Sequence, residues 1–420
     1  MKIAILGSGG REHALANQIK KSKKTDKIYC IPGNAGTGAI GENININLDD
    51  FNGIYNFVNE RQIDLVVVGP EKPLVEGISD FLKEKKIKVF GPSKKASQFE
   101  GSKTFTKNIC KQYGIPTAKF EILKNLEQSI KYLKKVEFPI VIKADGLAAG
   151  KGVYICKDMR NASEAVEEIF NGKFGKAEKI VIEEFLEGEE MSFFIISDGK
   201  TFKKFNTAQD HKRVGVGDTG KNTGGMGAYT PSGLINKELE NKIINKIINP
   251  TLKALNDINE EYIGFLYAGL MIKDNEPYLI EYNVRMGDPE CQTILPLLKS
   301  DFLEIILACC DGKLDEIDIQ WSDKKSLCIV LCSKGYPDTY EKNIEISGLD
   351  KLNLEKDSFI FHAGTTIKND KTIVNGGRVL NFVSISDNYL TSRNTIIDKI
   401  EKLNWSGGFY RSDIGFKIIK

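Results

Sequence analysis

Short apolar runs alternate with amphipathic stretches over the first hundred residues of the chain. Strands are predicted at KIAIL, KIYCI, DLVVVG and KVFG, with helices between them, the first at EHALANQIKKS. This βαβ rhythm predicts a parallel sheet with right-handed crossovers. The strands end in Gly7, Gly33, Gly69 and Gly91. Because ligands of open α/β sheets bind beyond the strand ends, we expect these turns to line one rim.

The pattern changes near Gly101. A helix over SKTFTKNICKQYG, strands around PIVIKADG and GVYICK, a helix over residues 162–170 and the strand IVIEEFL predict an α+β unit. The polar stretch 209–229 is expected to be a loop outside the core, and loops of this length are usually either functional or disordered. A long helix over residues 236–256 and the strands FLYAGLMIK and PYLIEYNVR follow. Beyond Trp321 the pattern predicts strands with one late helix.

The composition narrows the class of protein. A length of 420 residues predicts two to four domains, and a formal net charge of +2 favours neither a nucleic-acid nor a membrane partner. The chain starts with a strand rather than a secretory signal, and no apolar run approaches the ~20 residues of a membrane span. We therefore expect a cytoplasmic enzyme. The 8 cysteines include no CxxC pair, which indicates reduced, buried thiols rather than a metal site.

Two turns near the N-terminus have the features of anion sites. GSGGREHALA, with Gly9 and Gly10, follows a strand and opens a helix, where an anion is favoured. The next strand ends in IPGNAGTG instead of the acid that a dinucleotide fingerprint expects. A phosphate or phosphosugar site is favoured, and a nicotinamide or flavin site or a simple tight turn stays open. Glu71 is either an acceptor for sugar hydroxyls or an amine, or a solvated turn residue.

The loop IKADGLAAGKG, residues 142–152, carries the strongest single signal. Lys143 ends a strand, while Gly146, Gly150 and Gly152 free the backbone to fold over phosphates, and Lys151 adds a charge. It is not a Walker A loop, because no GKS or GKT opens a helix. A glycine-rich hairpin without a ligand is the alternative.

Two later strands carry further candidate chemistry. VIEEFL ends in a backbone edge, residues 183–186, that could hydrogen-bond an adenine, with Glu190 placed for a ribose diol; a solvated acidic turn is the alternative. In YLIEYNVRMGDPE, Glu281 and Asn283 alternate on one strand face, where their oxygens suit Mg²⁺. Arg285 follows on that face, and its guanidinium suits a carboxylate or phosphate. An exposed strand of alternating polarity is the alternative.

Together these segments resemble the ATP-grasp ligases and, within them, the glycinamide ribonucleotide synthetase family. The resemblance rests on GSGGREHALA, PGNAGT, VGPEKPL, FEGSKTFTK, IKADGLAAGKGV, VIEEFLEGEE, QDHKRVG, DTGKNTGGMGAY, GFLYAGLMI, RMGDPECQ, FHAGT and NGGRVL, which run nearly end to end. It implies an α/β and α+β fold with three domains. These are an N-terminal parallel α/β domain (1–100), an ATP-grasp domain (101–325, with a lid at about 117–190) and a C-terminal mixed α/β domain (326–420).

The resemblance also implies a reaction. ATP, glycine and 5-phosphoribosylamine would give ADP, phosphate and glycinamide ribonucleotide through a glycyl phosphate, in de novo purine synthesis. Many ATP-grasp enzymes carry a further acid on the strand that reads AGLMIK here, so the resemblance leaves the ligands of a second magnesium open. An NAD-dependent oxidoreductase and a non-catalytic nucleotide-binding regulator are the competing classes, and we expect a monomer or weak homo-oligomer.

The resemblance assigns roles to individual residues, with Arg285, Lys143 and Asp210 as the catalytic candidates. The candidates for ATP are Lys103, Lys143, Gly150, Lys151, Gly152, Glu183, Glu184, Phe185, Leu186 and Glu190. Those for phosphoribosylamine are Gly9, Gly10, Asn34, Gly36, Thr37, Glu71, Asp210 and Lys212; a solvated loop is the alternative for 210–212. Those for glycine or its acyl phosphate are Asn222, Thr223, Gly224, Gly225, Met226 and Arg285. Glu281 and Asn283 would bind Mg²⁺ or Mn²⁺.

Overall fold

The computed structural model describes residues 1–147, 152–175 and 177–419. The N-terminal strands are β1 (Lys2–Gly7), β2 (Lys27–Pro32), β3 (Glu42–Asn43), β4 (Leu65–Val68) and β5 (Val89–Phe90). They form one parallel sheet in the order β3-β2-β1-β4-β5, which confirms the predicted parallel sheet. The helices of this region are α1 (Gly10–Lys20), α2 (Thr37–Ile40), α3 (Phe51–Glu60), α4 (Glu71–Glu76), α5 (Ile78–Glu84) and α6 (Gln98–Gly101).

Both faces of this sheet are buried, which is why its strands read as continuous apolar runs. Ile3 and Ile5 of β1 pack into one apolar cluster, whereas Ala4 and Leu6 pack into a second one on the opposite face. The first cluster continues into the C-terminal part of the chain, where it includes Phe361. Each cluster contains helix residues of this region and residues from later parts of the chain, so both faces of the N-terminal sheet pack against its own helices and the rest of the molecule.

The next region forms a small antiparallel sheet with its own core. After α7 (Lys103–Tyr113) come β6 (Phe120–Leu123), α8 (Leu126–Leu133), β7 (Ile140–Ala144), β8 (Val153–Cys156), α9 (Met159–Phe170) and β9 (Ile180–Glu184). The strand order is β6-β9-β7-β8, and the apolar cluster of this sheet includes residues from α8 and α9. Helix α9 begins before the predicted residue 162, because the Asp158 side chain accepts the N–H of Asn161 as an N-cap.

The central sheet is antiparallel, in the order β11-β10-β16-β17. Its strands are β10 (Glu189–Asp198), β11 (Phe202–Lys204), β16 (Ile263–Lys273) and β17 (Glu276–Asn283). The predicted long helix is α10 (Lys237–Ile243) and α11 (Asn249–Asp257), joined by a π-helical turn at Ile244–Ile248. Beyond β17 lie α12 (Glu290–Ile294), a 3-10 turn (Leu295–Leu297), α13 (Phe302–Cys310) and a second 3-10 turn (Leu314–Glu316).

The polar stretch 209–229 contains more regular structure than we expected. Its strands are β12 (Gln209–Asp210), β13 (Arg213–Gly215), β14 (Thr219–Asn222) and β15 (Gly227–Thr230). The prediction that the stretch lies outside the core was wrong at both ends, since Gln209, His211 and Met226 are buried. The reason is tertiary: β15 pairs with a long C-terminal strand, so its neighbours are covered from both sides.

The C-terminal region completes that sheet, in the order β12-β15-β18-β22-β19 with β23 beside β18. Its elements are β18 (Lys325–Ser333), a 3-10 turn (Leu349–Lys351), β19 (Ser358–His362), the hairpin β20 (Thr365–Lys368) and β21 (Lys371–Val374), β22 (Arg378–Ser386), α14 (Tyr389–Glu401) and β23 (Gly408–Phe409). One late helix among strands agrees with the prediction. The sheet crosses the predicted boundary at residues 325–326, and the division into domains stays a prediction.

The structure also bears on the cysteines, on groups of metal-ligating side chains and on membrane-spanning helices. All eight cysteines are free thiols, and all except Cys310 are buried. Within the described ranges, His, Cys, Asp and Glu side chains form no group of three that could hold a metal ion. In the same ranges, no helix combines the length and the apolar character needed to cross a bilayer.

Candidate active site

A cavity of about 620 Å³ lies where the N-terminal sheet, the small antiparallel sheet and the central sheet meet. It brings together most of the residues that the sequence singled out. These are Gly9, Glu71, Lys103, Lys143, Gly152, Glu183, Glu184, Phe185, Leu186, Glu190, Asp210, Lys212, Asn222, Thr223, Gly224, Glu281, Asn283 and Arg285. Gly150 and Lys151 lie outside the described residues.

Six predicted residues do not line this cavity: Gly10, Asn34, Gly36, Thr37, Gly225 and Met226. Asn34 is buried, and its amide nitrogen donates to the carbonyls of Ser8 and His362 at 2.8 Å. Its amide oxygen accepts the N–H groups of Gly36 and Thr37 at 2.8 and 3.0 Å. Asn34 thus holds the turn 34–37 against the neighbouring segments, and this turn presents no side chain to the cavity.

Two of the glycine turns after the N-terminal strands, at Gly7 and Gly69, are filled by the Glu12 side chain. Gly7 has φ +122°, and a Cβ atom there would lie 2.5 Å from the Glu12 side chain, while one at Gly69 would lie 2.2 Å from it. The same carboxylate accepts the N–H of Gly9 at 2.7 Å. Of these four glycines, Gly7 alone lines the large cavity; Glu12 covers Gly69, while Asn43 lies against Gly33 and Leu74 against Gly91.

A buried group of three charged residues forms one wall. Glu183 lies between Lys143, whose Nζ is 3.0 Å from Oε2, and Lys107, whose Nζ is 3.1 Å from Oε1. Burial acts to raise the pKa of Glu183, but the two ammonium groups outweigh it and lower that pKa, whereas burial lowers the pKa of Lys107. The carboxylate thereby fixes the direction of both lysines. The Glu183 side chain is engaged by these lysines, and the following residues Glu184, Phe185 and Leu186 line the cavity.

The start of the glycine loop is tied to the N-terminus of α7. The Asp145 carboxylate accepts the hydroxyl of Thr104 at 2.7 Å and that of Ser102 at 3.1 Å. Lys103 Nζ donates to the carbonyl of Gly146 at 3.0 Å, and burial lowers the pKa of Lys103. These contacts place the Lys103 ammonium at the base of the loop.

Glu281 and Asn283 lie two residues apart on β17, opposite Gly269 and Tyr267 of β16. Both line the cavity, as the predicted alternation requires. Burial acts to raise the pKa of Glu281, but four nearby cations outweigh it and lower that pKa. These cations are Lys212, Lys143, Lys103 and Arg285. An ionised carboxylate beside an amide oxygen is a donor set that fits Mg²⁺, with the remaining positions open to phosphate oxygens and water.

Arg285 is the centre of a second charged group. Its Nη2 donates to Glu100 at 2.5 Å and its Nε to Glu71 at 3.2 Å, and Arg11 Nη1 lies 4.0 Å from the same Glu71 oxygen. Burial opposes ionisation of Glu71, yet Arg285 and Arg11 lower its pKa to about 2. Burial raises the pKa of Glu100 to about 7, against the effect of Arg285. The guanidinium is thus held between two carboxylates at the edge of the cavity.

A third group lies opposite. Lys212 Nζ is 2.6 Å from Glu190 Oε2. A residue predicted to bind phosphoribosylamine is thus paired with one predicted to bind the ribose of ATP. Burial acts to lower the pKa of Lys212, but Glu190 and Asp210 raise it well above its ordinary value. Burial raises the pKa of Asp210 to about 7, with Glu290 and Glu190 adding to the effect and Lys212 opposing it.

The sequence did not single out several charged residues that line the cavity. They are Arg11, Glu12, Glu100, Lys107, Asp288, Glu290 and Arg378. Each falls inside one of the motifs that carry the family resemblance, so the signal was present. Nothing local distinguishes these residues from their neighbours, since their roles come from contacts with distant segments.

Comparison with known proteins assigns the family. The models of phosphoribosylglycinamide synthetase match this chain over residues 1–100 (N domain), 101–291 (ATP-grasp A domain) and 326–417 (C domain). A relative from Brucella melitensis named phosphoribosylamine–glycine ligase is 45% identical and covers 100% of this chain and 99% of its own length. One of the same name from Haemophilus influenzae is 46% identical with the same coverage.

Solved structures agree. A phosphoribosylamine–glycine ligase from Thermotoga maritima superposes with a TM-score of 0.86 at 35% identity, covering 99% of this chain and 100% of its own. A biotin carboxylase from Campylobacter jejuni, at 14% identity and a TM-score of 0.75, covers 98% of this chain and 93% of its own and shares the fold alone. Full-length family matches and this superposition lead to one conclusion. The chain belongs to the phosphoribosylglycinamide synthetase family.

Proposed function

We propose that this protein joins glycine to 5-phosphoribosylamine at the expense of ATP, giving glycinamide ribonucleotide, ADP and phosphate in de novo purine biosynthesis. The relatives' names supply the substrates, and the cavity supplies the chemistry. The observation that carries the proposal is the meeting of Lys143, Glu281 and Arg285 in one cavity. This arrangement suits a phosphoryl group passing from ATP to a carboxylate, whereas the NAD alternative rests on one glycine turn filled by Glu12.

The reaction proceeds in two steps. An oxygen of the glycine carboxylate attacks the γ-phosphorus of ATP, the bond to the ADP oxygen breaks, and glycyl phosphate forms. The amine of phosphoribosylamine then attacks the carbonyl carbon, and phosphate leaves with the former carboxylate oxygen while the amine loses a proton. No enzyme nucleophile is required, so catalysis depends on positioning and on neutralising charge.

The ATP end of the cavity lies by the small antiparallel sheet. Lys143 and Lys107, both held by Glu183, would neutralise phosphate charge, and Lys103 would do so from the start of α7. The backbone of residues 184–186 would bind the adenine and Glu190 the ribose. Gly152 lines the cavity near this end and continues the glycine loop.

Glu281 and Asn283 would hold Mg²⁺ or Mn²⁺ between the protein and the phosphates. The bound ion would neutralise charge that develops on the transferred phosphoryl group. Glu281 is suited to this because the four surrounding cations keep it ionised.

The acceptor end lies between β17 and the N-terminal sheet. Arg285 and residues 222–224 would orient glycine and its acyl phosphate, while Glu71, Asp210 and Lys212 would contact phosphoribosylamine. Asp210, whose pKa burial raises to about 7, would take the proton that the attacking amine loses. The protein would act on these small molecules in the cytoplasm as a monomer or weak homo-oligomer.

The test is an isotope-transfer assay with glycine labelled with ¹⁸O in its carboxylate. We expect ADP release that requires both glycine and phosphoribosylamine, and one ¹⁸O atom in each phosphate released. ADP formation that ignores glycine would contradict the substrate assignment. Phosphate without label would contradict the glycyl phosphate step and leave the substrates intact. Serine and alanine replace glycine as controls and should give little ADP.

A further inference from the structure

The C-terminal region contributes a side chain to the cavity. Arg378 is the first residue of β22, and it lines the cavity with a side chain that is 22% exposed. The steps proposed above assign no role to it. Burying most of an arginine side chain costs free energy unless its N–H groups donate hydrogen bonds.

The Arg378 guanidinium joins two segments of the site. Its Nη1 donates to the carbonyl of Gly224 at 2.7 Å and to the carbonyl of Asp288 at 2.5 Å. The same nitrogen lies 3.2 Å from the Asp288 carboxylate. Asp288 follows Arg285 by three residues, and Gly224 lies in the loop proposed to orient glycine. One side chain therefore fixes both of these segments to β22.

Gly224 is held through its other backbone group as well. Its N–H donates to the Tyr336 hydroxyl at 3.0 Å, so both hydrogen-bonding groups of this residue are bound by the C-terminal region. A Cβ atom at Gly224 would lie 2.9 Å from Arg378 Cζ, which shows how closely the guanidinium covers the backbone.

The opposite side of the loop is anchored at Lys212, whose ammonium pairs with Glu190. The N–H and the hydroxyl of Thr223 both donate to the carbonyl of Lys212, at 2.7 and 2.9 Å. Residues 222–225, here called the glycine-orienting loop, thus span from Lys212 to Arg378. Losing Arg378 would leave the Gly224 carbonyl without this donor and detach the loop from the Asp288 segment, while Tyr336 would still hold the Gly224 N–H.

We propose that Arg378 is a positioning residue, which sets the glycine-orienting loop and the Asp288 segment and so makes the C-terminal region part of the catalytic unit. This inference rests on the proposed function. Its consequence is selective: Arg378 holds residues proposed to orient glycine, whereas the lysines proposed to bind the ATP phosphates are held by Glu183 on other elements.

The experiment compares Arg378→Ala, Arg378→Lys and the wild-type enzyme. For Arg378→Ala we expect kcat/KM for glycine to fall about 10- to 100-fold, as for the loss of hydrogen bonds from a charged donor, with KM for ATP within about twofold. Arg378→Lys should recover part of this loss. Guanidinium added to Arg378→Ala at low millimolar concentrations should restore part of the activity, because it can occupy the vacated position.

Other results would contradict either the positioning role of Arg378 or the proposed function. Unchanged glycine kinetics in Arg378→Ala would overturn the positioning role, and so would equal losses for ATP and glycine without rescue. A rise in KM for phosphoribosylamine alone would also contradict the positioning role, because it would indicate that Arg378 contacts this substrate directly. A wild-type enzyme without glycine-dependent ADP release would refute the proposed function itself. Lys371→Gln, at an exposed ion pair with Glu345 in the same region, is the control and should behave as wild type.

Discussion

Arg285 donates a 2.5 Å hydrogen bond to Glu100, which precedes it by 185 residues in the chain. Glu100 also accepts the backbone N–H of Val284 at 2.8 Å, so one carboxylate fixes both the side chain and the strand end that carries it. With Glu71 on Nε, the guanidinium is held at two edges. This leaves its orientation little freedom before any substrate binds.

The first prediction concerns this geometry. Arg285→Lys keeps the positive charge but replaces a planar fork with a point charge that cannot hold both carboxylates in the same way. We expect kcat/KM for glycine to fall at least about 10-fold, which corresponds to ~1.4 kcal/mol of transition-state stabilisation. Steady-state kinetics measure this. Arg160→Lys, at an exposed arginine of α9, is the matched control, and equal behaviour of the two variants would contradict the role of Arg285.

The second prediction concerns the proposed metal ligand. Glu281→Ala should lower kcat about 100-fold or more while the thermal unfolding midpoint changes little, because the carboxylate faces the cavity and not the core. Kinetics over a range of Mg²⁺ and Mn²⁺ concentrations provide the measurement. Glu276→Ala, at a half-exposed glutamate on the same strand that pairs with Lys242 and Lys246, should keep normal turnover. Normal activity of Glu281→Ala at ordinary Mg²⁺ would place the metal elsewhere.

The third prediction concerns a lysine that the sequence did not single out. Lys107→Met removes one of the two ammonium groups that bind Glu183 and leaves that carboxylate to Lys143 alone. We expect KM for ATP to rise about 10-fold with little change in KM for glycine, since one phosphate-neutralising charge is lost. Lys111→Met, four residues later on α7 and exposed, is the control. An unchanged KM for ATP would show that Lys107 is only structural.

The fourth prediction concerns pH. The Asp210 pKa is about 7 in the folded protein and 3.8 when unperturbed, so the folded state binds its proton more tightly. This group therefore stabilises the fold fully below about pH 4, and its contribution is lost as pH rises through about 7. Asp210→Asn cannot titrate, so its stability relative to wild type should increase from pH 5 to pH 8, by at most ~1.4 kcal/mol per pH unit.

Urea unfolding at several pH values measures this difference. Asp315→Asn, at an exposed aspartate, should show no such trend. The same Asp210→Asn variant should have a lower kcat, because it cannot accept the proton of the attacking amine. A relative stability that falls with rising pH would mean that Asp210 is ionised and paired in the folded state.

Local patterns in the sequence predicted much of the fold. The buried parallel strands and the β17 alternation of Glu281 and Asn283 depend on residues close in the chain, so periodicity reveals them. The motif from Ile142 to Gly152 likewise signals a phosphate loop through its own composition. The stretch 209–229 misled prediction because its polar composition says nothing about the strand that covers it.

The sequence by itself therefore determined the family, the order of elements and the type of chemistry. These properties depend on short segments and on the spacing between them. Only the tertiary structure decided which charges meet: Arg285 with Glu100, Lys107 with Glu183, and Arg378 with Gly224. Such pairs join segments that are distant in the chain, and their geometry depends on how separate sheets pack. Packing is a property of the whole fold, and no local pattern specifies it.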